Sequence, residues 1–127
     1  MIGSWLSTTA QVNRLRPSST TSVFDPTQPS TRRTIPAKLD SAADITALPV
    51  SLVRELALTQ AHWLNVAGYD NQQSRIAVYE AAIEVAHIRA RLEVIAIPED
   101  YALLGRDVLN QLRVLLDGPA ETVEILE

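Results

Sequence analysis

From residue 33 onward the chain alternates. Ile35, Ala37 and Leu39 take every second place between Thr34, Pro36 and Lys38, the period-two mark of a strand with one buried face. Pro36 has no amide hydrogen to offer a neighbour, which places this strand at an edge or a bulge. Residues 45–48 are a second short apolar segment. Pro49 and Ser51 then open a helix, with Ser51 as its expected N-cap and Leu52, Val53 and Leu56 on one face. Residues 63–67 and 76–85 flank a polar tip at 68–74, where Gly68, Asp70 and Asn71 are turn formers; this predicts a long β-hairpin. Residues 89–97 alternate again. Asp107, ahead of Val108, Leu109 and Leu112, predicts a second short helix with Asp107 at its N-cap. Residues 113–116 and 122–126 flank the turn Asp117-Gly118-Pro119. Six or more short strands and two short helices make an all-β domain of barrel-like type.

The first thirty residues differ. They are rich in Ser, Thr and Pro, carry Arg14 and Arg16, and have Asp25 as their only acid. They read as an arm with one strand near residues 20–24 and a turn at Pro26 and Pro29. The expected division is an arm or linker at 1–18 and a folded domain at 19–127. The length of 127 residues fits a single domain with a real core.

Composition removes several functions. The net charge of −4 argues against a nucleic-acid partner. There is no cysteine, so neither disulfides nor thiolate chemistry are available. No apolar run reaches the roughly 20 residues that span a bilayer, and the first ten residues lack the features of a secretory leader; the expectation is a cytoplasmic protein without a membrane partner. His62 and His87 stand in no paired metal-ligand spacing. They read as a strand residue and as a turn or exposed-strand residue. No phosphate-binding glycine motif and no GxSxG elbow occur.

Two segments remain. In Lys38-Leu39-Asp40-Ser41-Ala42-Ala43-Asp44, an aspartate directly follows an alternating strand. Three small residues come next, through which another backbone can approach its carboxylate closely. Taken alone, Asp40 reads first as a strand-end residue holding the following turn. In Tyr101-Ala102-Leu103-Leu104-Gly105-Arg106-Asp107, an apolar strand ends in a glycine and a charged pair opens a helix.

Together, in this order and with a hairpin between them, the two segments resemble the retropepsin-like aspartic proteases. In that family a strand ends in Asp-Thr/Ser-Gly-Ala, often followed by Asp, and a later strand ends in Ile/Leu-Gly-Arg-Asp/Asn before a helix. The resemblance runs from about residue 19 to the C-terminus. It implies a small closed β-barrel with one or two short helices, acting as a homodimer without a cofactor on an extended peptide or unfolded protein. It implies Asp40 as the catalytic aspartate, one from each subunit, since the chain carries only one such motif. Ser41, Ala42, Ala43, Asp44 and Arg106 would support the active-site loop. The hairpin tip, Ala67, Gly68, Tyr69 and Asp70, would be a flap over substrate. On this pattern Asp44 and Arg106 form a buried brace; the plainer reading is an exposed surface pair. Strands near the termini, including residues 122–126, are expected to pair across the dimer axis. The family's glycine is Ala42 here: its N–H is retained, while its methyl group adds bulk beside the reacting carboxylates. This leaves two expectations, a slowed endopeptidase or a protease-fold dimer that binds extended peptides without cutting them.

Overall fold

The structure is a computed structural model that describes residues 12–15, 21–67, 72–86, 88–117 and 122–126, with side chains described for 21–67, 72–86 and 88–112. In chain order the strands are β1 (Val12–Leu15), β2 (Thr21–Asp25), β3 (Gln28–Ile35), β4 (Ala37–Asp40), β5 (Ala47–Pro49), β6 (Gln60–Ala67), β7 (Gln73–Val85), β8 (Ile88–Ile97), β9 (Ala102–Leu104), β10 (Arg113–Asp117) and β11 (Thr122–Leu126). Two short helices, α1 (Val50–Glu55) and α2 (Arg106–Leu109), follow β5 and β9.

All the strands join one curled, half-barrel sheet in the order β10-β11-β1-β4-β9-β5-β8-β7-β2-β3, with β6 paired to β7. Alternation decides which face is covered. Ala37 and Leu39 of β4 and Ala81, Ile83 and Val85 of β7 point to the concave side. There they pack with Leu48, Leu52, Val53, Val94, Leu104 and Val108 into one core. Leu48, Val94 and Leu104 are wholly buried, the amount of apolar cover that makes each worth about 1.5–3 kcal/mol of transfer free energy.

Local chemistry accounts for several junctions. The Asp25 carboxylate accepts from the Thr27 N–H at 2.9 Å and its hydroxyl at 2.8 Å, closing the turn between β2 and β3 around Pro26. Pro36 separates β3 from β4 along the chain. Val85 pairs with Ile88, so β7 turns back into β8 through two residues, and Ala86 takes the left-handed φ of 51° that such a turn requires.

Three expectations need correction. Ser51 is not the cap of α1: Pro49 holds that position and no side chain caps the helix, because the fixed φ of proline already sets the entry. Asp107 does not cap α2 either. The N-cap is Gly105, and the Asp107 carboxylate is engaged elsewhere. Residues 122–126 do not offer a free edge, since β11 lies between β10 and β1 within the chain. The strand at that end of the sheet is β10. In addition, Val12–Leu15, inside the segment read as an arm, is a strand of the sheet, antiparallel to β4.

Among the described residues no helix is long and apolar enough to cross a membrane.

Candidate active site

β4 and β9 run parallel, with Leu39 opposite Leu104. Asp40 and Gly105 are therefore the next residues out of the sheet on adjacent strands. β5 pairs with the other side of β9, so residues 41–46 must loop over the end of β9 to travel from β4 to β5. That crossing, together with the pairing of Asp40 with Val12 of β1, positions Asp40.

The loop closes on itself first. The Ala42 N–H donates to Asp40 Oδ1 at 3.0 Å, and the Ala43 N–H to the Asp40 carbonyl at 3.2 Å. The turn fixes one carboxylate oxygen and leaves the other, Oδ2, free of the loop. Ala42 is exposed, and the only non-glycine residues with positive φ among those described are Ala57 and Ala86. Alanine in the family's glycine place therefore carries no backbone strain; its only consequence is the methyl group.

The second segment then clamps the loop. The Arg106 N–H donates to the Ala43 carbonyl at 2.8 Å. The Gly105 N–H donates to Thr46 Oγ1 at 3.1 Å; that hydroxyl donates to Asp107 Oδ1 at 2.7 Å, and the Thr46 N–H to Asp107 Oδ2 at 3.0 Å. Asp107 also accepts the Val108 N–H at 2.9 Å. Thr46 is completely buried, and this network supplies partners for both its hydroxyl and its amide, as burial demands. Gly105 has an ordinary φ of −87°, so its glycine character answers to space. A Cβ there would lie 2.9 Å from the Ala43 carbonyl oxygen and 2.9 Å from the Ile45 carbonyl carbon.

Thr46 was not singled out from the sequence. The signal available was a lone hydroxyl in the otherwise apolar run of residues 45–48. Its partner Asp107 was read as a helix cap, because an aspartate just before an apolar helix pattern has that local use far more often than a reach across to another loop.

Asp44 and Arg106 are brought together as an ion pair, but the buried brace is overturned. The side chains are 80% and 51% exposed, so water screens the pair. We expect Arg106→Ala to lower stability by no more than about 1 kcal/mol, against the 3–5 kcal/mol typical of breaking a buried pair. Urea denaturation of both proteins measures the difference, and a loss above that range restores the brace.

Ser41 carries a different message. Its Oγ is buried and has no hydrogen-bond partner among the described residues. An orphaned buried hydroxyl costs about 1–3 kcal/mol.

The hairpin of β6 and β7 projects from the sheet with β6 exposed along nearly all its length. Ala67 is at its outer end; Gly68, Tyr69 and Asp70 lie outside the described residues. At its base His62 Nε2 pairs with Glu93 at 3.0 Å, joining β6 to β8 across β7. The hydrogen bond to Glu93, and then that to the Trp63 carbonyl, raise the His62 pKa above its ordinary value. This tie is complete below pH about 6.5 and weakens as the pH rises through the raised value.

Among the described residues no group of three or more His, Cys, Asp or Glu side chains could hold a metal ion.

No protein-family model matches the chain. No curated protein matches it either. Solved structures do. The solution structure of simian foamy virus (mac) protease superposes with a TM-score of 0.54 at 21% identity, covering 72% of this chain and 91% of that one. The foamy viral protease–reverse transcriptase, solved in complex with an RNA/DNA hybrid, gives a TM-score of 0.53 at 17% identity over 80% of this chain and 13% of that one. The native prototype foamy virus protease–reverse transcriptase gives 0.52 at 19% identity over 87% of this chain. This chain spans 13% of that protein. These likenesses establish the fold: it is that of the retropepsin-like aspartic proteases.

Proposed function

We propose that this protein is an aspartic endopeptidase that works as a homodimer, with two Asp40 side chains, one from each subunit, activating a water for attack on a peptide bond. The observation that carries the reading is a pair of groups at the loop without partners among the described residues. They are one Asp40 carboxylate oxygen and the buried Ser41 hydroxyl, side by side in sequence at the end of β4. A two-fold axis passing near Asp40 satisfies both. It sets Asp40 against its symmetry mate, and it gives each Ser41 hydroxyl a backbone acceptor on the opposite loop.

The chemistry follows from that pairing. Two carboxylates held about 3 Å apart cannot both ionise easily, so they share one proton. The ionised oxygen takes a proton from water as it attacks the scissile carbonyl. The protonated partner donates to the carbonyl oxygen, and the dyad later returns a proton to the leaving amine. The pair titrates as a unit, so the rate should be bell-shaped in pH. An extended peptide lies as a strand beneath the hairpin, whose outer end, Ala67 to Asp70, serves as the flap. Ala42 favours the alternative of a weakened or inactive dimer that grips extended peptides, because its exposed methyl group stands on each of the two facing loops.

Two measurements test the reading together. Hydrolysis of an unfolded protein at mildly acid pH tests the chemistry. Sedimentation tests the dimer, and Ser41→Ala is the sharp probe. Losing two symmetry-related hydrogen bonds of about 0.5–1.5 kcal/mol each weakens association by roughly 10-fold or more. The monomer, relieved of an orphaned hydroxyl, keeps its stability. An unchanged dimer dissociation constant removes Ser41 from the interface.

A further inference from the structure

The inner face of the hairpin carries a recognition group that the catalytic reading leaves unused. Ala81, Ile83 and Val85 of β7 point into the core, and Tyr79 packs against it. Counting outward by twos along the same strand, Ala77, Arg75 and Gln73 lie on that same face. Their cross-strand partners on β6 are Trp63, Asn65 and Ala67. At its base this face covers the core. Further out it is open among the described residues: Trp63 is 49% exposed, the most exposed large hydrophobic side chain among them.

Trp63 and Arg75 are diagonal neighbours, and the Arg75 guanidinium sits over the indole ring at 4.4 Å. Stacking occupies one flat face of the guanidinium and leaves its in-plane N–H groups free. Arg75 has no ion pair among the described residues, whereas Arg32, Arg33, Arg89 and Arg106 each have a carboxylate. The two strands contain no acid from Gln60 to Ala67 or from Gln73 to Tyr79, although the chain as a whole carries a net charge of −4. A protein with an excess of carboxylates thus keeps a cation, and no acid on the described parts of the two strands, on the face that continues from the core.

We propose that Trp63 and Arg75 form a side-chain recognition site that selects an acidic residue, Asp or Glu, in an extended peptide lying under the hairpin, at a position away from the bond being cut. Trp63 holds the guanidinium plane in place, so little freedom is lost when its N–H fork engages a carboxylate. This rests on the endopeptidase reading for the path of the peptide, but binding can be measured without cleavage.

The test uses the full chain carrying Asp40→Asn and labelled decapeptides in which one Glu, Gln or Lys is moved from position to position along a neutral sequence. Anisotropy of the label reports binding. At one position Glu should bind about 10-fold more tightly than Lys, with Gln between them. Arg75→Glu should reverse the order. Trp63→Ala, a second route to the same loss, should bring Glu and Lys closer together. Equal affinities at every position, a preference that survives Arg75→Glu, or no binding of any peptide overturns the proposal. The chain with Asp40 intact is scored separately for cleavage of the same peptides. Selective binding without cleavage supports the recognition site and sinks the endopeptidase. Cleavage without charge preference sinks the recognition site alone.

Discussion

Asp40→Asn should remove hydrolysis, lowering the rate by at least about 1,000-fold, while the dimer survives. An amide at both positions can neither share a proton nor take one from water, and general acid–base catalysis typically contributes about 100- to 10,000-fold. The fold should tolerate the change. Asn keeps the oxygen that accepts the Ala42 N–H, and its shape is nearly that of Asp. Loss of cleavage with retained sedimentation as a dimer is the expected result; cleavage that persists in the Asn variant places the chemistry elsewhere. Ala42→Gly in the same series reads the contribution of the methyl group. It should raise the parent's rate, by as much as about 100-fold if misplacement at the reacting centre is what slows it, and it should rescue nothing when Asp40 is Asn. A parent that already cleaves well and gains nothing from glycine shows that the methyl is harmless. Absence of cleavage in both forms across an acid-to-neutral pH series leaves the peptide-binding dimer as the function.

Gly105→Ala should damage both stability and rate, although Gly105 touches no substrate. The new Cβ meets backbone atoms of Ala43 and Ile45 at 2.9 Å, and backbone cannot swing aside as a long side chain can. The loop must move, and with it the hydrogen bonds from Gly105 to Thr46 and from Arg106 to Ala43. Overpacking of this kind costs about 1–3 kcal/mol. Because the displaced loop begins at Asp40, a shift near 1 Å should also lower the rate by about 100-fold. Urea denaturation and initial rates measure the two effects on one preparation. A fully stable, fully active Gly105→Ala protein would mean that the crossing of the two segments does not set the position of Asp40.

How much of this was written in the sequence depends on the range of each interaction. Alternation marked β4, the hairpin of β6 and β7, and β8, because period two is a local consequence of one face being buried. Leu52, Val53 and Leu56 were legible as the buried face of α1 for the same reason, and all three are buried. The two short motifs were legible by their order, and the fold they implied is the one the solved structures support. The left-handed conformation at Ala86 was not legible, since neither Asn nor Gly marks it; the pairing of β7 with β8 imposes that φ on an alanine.

The role of Asp107 also escaped the sequence. Its local pattern fits a helix cap, and only the crossing of residues 41–46 over β9 brings Thr46 within reach of its carboxylate across 61 residues of chain. Asp44 and Arg106 show the reverse case. Their motifs predicted the contact, but exposure is a property of everything around a pair, and here it reduces a brace to a screened surface contact. The same division holds for the hairpin. Sequence alone determined that Trp63 opens one strand of a hairpin and that Arg75 lies between its polar tip and the other strand; the structure puts Arg75 on β7. That they share the inward face, stacked and uncovered, follows from register, which a one-residue slip would invert and which only the tertiary structure decided.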